Sequence, residues 1–144
     1  MSRTADVDLV FERAVTASAV VSALTEAGWS LEEPLGLSYM VNDDGMFDWQ
    51  ATSVDQADEI LSRLDAPENR AFEVAICVYH PGAGTGGQLL FLPDRSQCCF
   101  LPTIYRRSLP GAPRLTDIAW YLNALVPALL PAGLLSYEAR DLAD

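Results

Sequence analysis

The chain opens on a period of two. Val7, Leu9 and Phe11 alternate with Asp6, Asp8 and Glu12, the pattern of a strand with one buried face. The period then becomes helical. Ala17, Val20, Val21 and Leu24 recur at i, i+3, i+4 and i+7, Thr16 or Ser18 can cap, and Gly28 can end the helix in a left-handed turn. Alternation returns at Leu35, Leu37, Tyr39 and Val41, followed by the turn residues Asn42-Asp43-Asp44-Gly45. A return strand is expected over residues 46–51, with Phe47 and Trp49 on one face and Met46, Asp48 and Gln50 on the other. Ser53-Val54-Asp55-Gln56 has the spacing of a capping box, and Val54, Ala57, Ile60, Leu61 and Leu64 form the stripe of a second helix that Pro67 stops. Phe72, Val74, Ile76 and Val78 supply a fourth strand.

That order, β-α-β-β-α-β, predicts an α+β fold of the ferredoxin-like type, with helices on one face of an antiparallel sheet. The rest reads as an extension of the same domain. Residues 88–93 and 97–102 form a hairpin around Asp94-Arg95-Ser96, and residues 102–113 are a Pro-rich loop. A last helix starts near Thr116 with Ile118, Leu122, Leu125, Val126 and Leu129 inward, and residues 135–140 suit a short final strand. Nothing repeats and no long linker intervenes, so residues 1–144 are expected to form a single α+β domain.

Composition adds a charge asymmetry. Half of the 144 residues are apolar, enough for a proper core, and the formal net charge is −11. Residues 1–73 hold 15 acids and 4 Arg; residues 74–144 hold 5 of each, so the first half carries the whole excess. A chain this acidic lacks the basic patch that a phosphate backbone requires, which argues against direct nucleic-acid binding. Cys77, Cys98 and Cys99 are odd in number and two are adjacent, and residues 1–9 carry Asp6 and Asp8 where an apolar leader would lie. Both features point to a reducing cytoplasm. Residues 118–137 lack a formal charge, but Asn123, Pro127, Pro131 and Gly133 interrupt them, favouring a buried helix broken at Pro127 or Pro131 over a membrane span.

Catalytic and cofactor signatures fail on context. Gly82-Ala83-Gly84-Thr85-Gly86-Gly87 satisfies G-x-G-x-x-G, yet strand-like Gln88-Leu89-Leu90-Phe91-Leu92 follows where a phosphate-binding helix should start. A hairpin loop is expected instead. Cys77 and His80 would point to opposite faces of a strand, as would Cys98 and Cys99, and no pair has zinc-site spacing. His80 is the only imidazole and no Ser occupies a G-x-S-x-G elbow. Glu32/Glu33 and Asp43/Asp44 look like solvated turn carboxylates, and residues 42–45 lack the ligand pattern of a calcium loop. The expectation is therefore no enzyme activity, no metal and no cofactor.

What remains is residues 14–62, which contain nine acids and no Arg, Lys or His. Trp29, Tyr39, Met46, Phe47 and Trp49 are threaded among them. Acids steer a basic partner and aromatics anchor it, so the candidate partner-binding residues are Asp43, Asp44, Met46, Asp48, Trp49, Asp55, Asp58 and Glu59. Arg106-Arg107 beside Tyr105 could meet the acidic half in the same chain or in a second copy, leaving a homodimer open.

In size, acidity and its βα start (residues 7–28), the chain resembles the bacterial immunity proteins of polymorphic toxin systems. The resemblance implies a non-enzymatic inhibitor that binds and blocks a cognate, basic toxin or enzyme. The alternative expectation is a small-ligand domain or small enzyme. Its pocket would lie between the sheet and the last helix, with Cys77, Tyr79 and residues 82–87 at the mouth.

Overall fold

The computed structural model describes residues 3–32, 34 and 36–143; the expectations placed on Glu33 and Leu35 lie outside them. The order of elements is β1 (Arg3–Phe11), α1 (Ala17–Glu26), β2 (Leu37–Val41), β3 (Gln50–Thr52), α2 (Ala57–Leu64), β4 (Val74–His80), β5 (Thr85–Phe91), β6 (Gln97–Ile104), β7 (Ser108–Leu109), β8 (Ala112–Thr116), α3 (Ile118–Leu129) and β9 (Leu134–Ala143). Seven strands form one antiparallel sheet in the order β3-β2-β4-β5-β6-β1-β9, while β7 and β8 make a separate hairpin.

Alternation decides which face the helices cover. Val7, Leu9 and Phe11 of β1 share one core with Leu37 and Tyr39 of β2, Val74, Ile76 and Val78 of β4, and Phe91 and Phe100 of the β5–β6 hairpin. Val20, Val21 and Leu24 of α1, Ile60 and Leu64 of α2, and Tyr121, Leu125 and Leu129 of α3 close over them. Each such side chain, taken fully from water, contributes about 1.5–3 kcal/mol. The fold is thus α+β, with three helices on one face of a seven-stranded sheet.

Two polar ties hold the centre. Asp65, just after α2, accepts from Ala17 N–H (2.6 Å), Ser18 N–H (3.1 Å) and Ser18 Oγ (2.7 Å), placing a carboxylate on the positive end of α1. Arg95, in the β5–β6 turn, is buried and donates to the carbonyls of Phe72 (2.7 Å), Leu92 (3.0 Å) and Asn69 (2.7 Å). Burial pulls its guanidinium below the usual Arg value, and Asp65 acts in the opposite sense.

Several local expectations hold. Thr16 Oγ1 accepts from Ala19 N–H at 3.0 Å, and Gly28 leaves α1 at φ +101°. Ser53 Oγ accepts from Asp55 N–H at 3.3 Å, opening a 3₁₀ turn (Val54–Gln56) that leads into α2. The strand over 135–140 is real but longer, since β9 pairs with β1 from Arg3↔Ala143 to Phe11↔Leu134.

Others need correction. A ferredoxin-like sheet puts the first strand beside the fourth, whereas here β5 and β6 separate β4 from β1, which pairs with β6 and β9. The short loops 81–84 and 92–96 let β4, β5 and β6 close as successive hairpins, and these occupy the positions beside β4. The return strand expected over 46–51 begins only at Gln50, because Phe47 sits at φ +52° and breaks the extended run. The Pro-rich loop over 102–113 contains β7 and the start of β8. In α3 the deepest residue is Tyr121, with Leu125 and Leu129, while Ile118, Leu122 and Val126 are only half-buried. The helix continues through Pro127 to Leu129 and leaves through a 3₁₀ turn (Leu130–Ala132) and Gly133 at φ +91°. Among the described residues no helix is long and apolar enough to cross a membrane.

Candidate functional site

At one end of the sheet, β3 is three residues long and exposed along its outer side. The loop 42–49 enters it and the 3₁₀ turn before α2 leaves it, so the two acidic clusters are anchored only about 10 Å apart. The loop has fixed geometry. Met46 N–H donates to Asp44 Oδ1 at 2.9 Å and Phe47 N–H to Asn42 Oδ1 at 3.1 Å. Asn42 N–H is in turn tied to Glu73 O at 2.9 Å, which fastens the loop to the start of β4. Short polar side chains that accept nearby backbone N–H groups favour this turn over a strand.

Held this way, the loop turns its large side chains outward. Met46 is 69% exposed, Phe47 50% and Trp49 38%, and Asp43, Asp44 and Asp48 are exposed beside them. Asp55, Asp58 and Glu59 are exposed on the far side of β3, in the first turns leading into α2, where negative charge suits the helix dipole. The structure therefore brings all eight predicted partner-binding residues to one end of the sheet and leaves each in contact with water. Beneath them, Tyr39 Oη donates to Gln50 Oε1 at 2.9 Å and accepts from Arg63 Nη1 at 3.4 Å, and the Arg63 guanidinium lies 5.8 Å from the Tyr39 ring centre. This tie between β2, β3 and α2 braces the surface from below. Tyr39 reads in sequence as an inward ring of β2 or as one of the rings among the acids, and its bracing role carries no pattern.

Trp29 does not belong to this surface. It is 3% exposed, donates from Nε1 to Ala124 O at 3.2 Å and packs edge-on against His80 and Phe100. His80 stands between Trp29 and Trp120, its ring centre 5.3 Å from the ring centre of each. Arg107 covers the outside of Trp120 at 5.3 Å. Below this stack Tyr121 Oη shares a buried 2.7 Å hydrogen bond with Thr85 Oγ1 and accepts from Arg107 N–H at 2.8 Å. The space between sheet and α3, where a pocket was the alternative expectation, is filled by Phe100, Tyr121 and Leu125, all fully buried.

The remaining candidates have structural explanations. Residues 82–84 turn between β4 and β5, with Gly84 at φ +66°, and Gly86 and Gly87 lie inside β5. A Cβ on either of the last two would collide with the backbone carbonyl of Val78 or Leu101, so close strand packing requires these glycines. Cys77 and Cys98 are buried. Asp6, Asp8 and Cys99 do gather on the helix-free face of the sheet, close enough for one ion. Arg140 occupies that position: its Nη2 lies 2.8 Å from Asp6 Oδ1 and is paired with Asp8, while Nη1 meets Glu138 at 3.0 Å. Burial pushes the Cys99 thiol up to about 12, helped by its hydrogen bond to Asp8, so it stays protonated at neutral pH.

No family model matches the chain, and no curated protein or solved structure matches it either. The surface must be read from its own chemistry. It offers exposed rings, a thioether and six carboxylates on a braced platform.

Proposed function

We propose that this chain is a non-enzymatic protein-binding module whose acidic–aromatic end docks a basic partner, in the manner of an immunity-type inhibitor that covers a toxin or enzyme. The observation that carries the reading is the exposure of Met46, Phe47 and Trp49 beside Asp43, Asp44 and Asp48 on a loop whose backbone is already fixed. Large apolar side chains left in water on an ordered loop gain free energy when a partner covers them. Carboxylates around them speed encounter with basic surfaces and disfavour acidic ones. Because the loop is pre-organised, little ordering entropy is lost on docking. Phe47 adds to the argument, since a bulky residue at positive φ costs of order 1–3 kcal/mol without a folding benefit in view.

The test is a comparison of captured partners. Wild type retains a basic protein from its native host; a D43R/D44R/D48R variant of unchanged melting temperature loses it. Equal retention by both overturns the proposed face. Inhibition is tested on the captured protein, whose activity falls when wild type is added and recovers when the variant replaces it.

A further inference from the structure

We propose that two copies of this chain associate edge to edge through β9, antiparallel and centred on Ala139, joining their sheets into one continuous sheet. This rests on the opposite end of the sheet from the docking loop and stands without that reading. β9 spans ten residues and pairs along its length with β1; among the described residues no strand pairs with its other side. Leu135, Ser136, Tyr137, Glu138 and Leu142 are exposed on it. A long outer strand turns alternate N–H and C=O groups outward and is a ready template for another strand. It contains no proline to block the ladder.

Charge selects the register. Opposed residues in an antiparallel ladder share a face, so a two-fold pairing must centre on a residue that faces its own copy. Centring on Glu138, Arg140 or Asp141 sets a charge against itself, which is unfavourable. Centring on Tyr137 pairs only residues 134–140. Centring on Ala139 pairs residues 135–143 and puts Glu138 of each copy opposite Arg140 of the other. It also puts Tyr137 opposite Asp141, with only two methyl groups on the axis. The charged groups are already held in place. Arg140 is fixed by Asp6 and Asp8, and the Asp141 carboxylate accepts from Thr116 N–H at 2.8 Å and Oγ1 at 3.2 Å. Little side-chain freedom is left to lose on association.

The test uses the full chain. Light scattering gives twice the 15.7 kDa chain mass for wild type, and Glu138→Arg weakens self-association by at least about tenfold. That variant gives up the exposed Glu138–Arg140 pair within the chain but keeps the Arg140 pairs to Asp6 and Asp8, so its circular dichroism stays near wild type and its melting temperature falls only slightly. Register is read by cross-linking. Ala139→Cys forms a disulfide-linked dimer on mild oxidation because opposed Cβ atoms lie about 5 Å apart, whereas Leu142→Cys faces Ser136 and does not link to its own copy. A wild type that stays monomeric at its solubility limit overturns the proposal. So does a dimer indifferent to Glu138→Arg, or one that links through Leu142→Cys in preference to Ala139→Cys. A monomer that adds an extended peptide along β9 also overturns it, replacing the second copy with another partner.

Discussion

The two edges of the sheet are built on opposite plans. β3 offers three residues of ladder, too few to hold another strand, and the chain on either side of it displays acids and rings. β9 offers ten residues of ladder and comparatively ordinary side chains. A short edge is one of the ways proteins avoid indiscriminate strand pairing; a long one invites it unless side chains dictate the register. The contrast separates two kinds of recognition in one small domain. At β3 the side chains carry charge steering and apolar anchoring, so binding should respond to salt and to single truncations. At β9 the backbone carries the interaction, and single truncations should matter less than register.

This division can be broken most sharply with the two tryptophans. Trp29→Ala removes a buried ring and should cost about 3–5 kcal/mol of unfolding free energy. Trp49→Ala, on the exposed loop, should cost less than about 1 kcal/mol. Denaturant unfolding measures both; equal losses would place Trp49 in the core and remove it from the docking face. Next in size is Arg95→Met, which strips three part-buried carbonyls of their buried donor and should cost about 2–3 kcal/mol, loosening the frame on which both edges hang.

A pH measurement isolates the β9 side. The Cys99 thiol titrates near 9 when unfolded and is pushed up to about 12 when folded, so the folded state binds the extra proton between those values. Its contribution is fully present below pH 9 and is lost as pH rises toward 12. Cys99→Ala should therefore show a shallower alkaline loss of stability than wild type, and an identical alkaline profile would refute that assignment. The smallest stability effect belongs to Phe47→Gly. Glycine tolerates φ +52° freely, so the strain of about 1–3 kcal/mol is relieved and offset in part by about 0.5–1 kcal/mol of added unfolded-chain entropy, leaving a small net gain in stability while partner affinity falls.

Much of the frame was legible because it is local. Val7, Leu9 and Phe11 announced β1, Thr16 and Gly28 bracketed α1, and Gly82–Gly87 declared a hairpin, though its turn closes at residue 84 and β5 already starts at Thr85. Strand order was not legible, because β1 finds β6 and β9 through contacts nearly the whole chain apart, and periodicity says nothing about neighbours. The alternation from Met46 to Ala51 misled for a different reason. The side chains of Asn42 and Asp44 take the N–H groups of Phe47 and Met46, and that local competition is invisible to a count of apolar positions. The same event exposes the rings. At α3 the missing residue was Tyr121, whose hydroxyl looks solvent-seeking until Thr85 and Arg107 are found to satisfy it. The acidic residues of the site were readable as a composition bias, but their assembly around a three-residue edge was not.

The most direct test of the docking claim is the affinity of the captured partner for wild type and for Trp49→Ala, by calorimetry at low and high salt. Wild-type binding should weaken as salt screens the carboxylates, and Trp49→Ala should lose at least about tenfold at both salt concentrations with its melting temperature nearly unchanged. Salt-independent binding that Trp49→Ala leaves intact would contradict that claim.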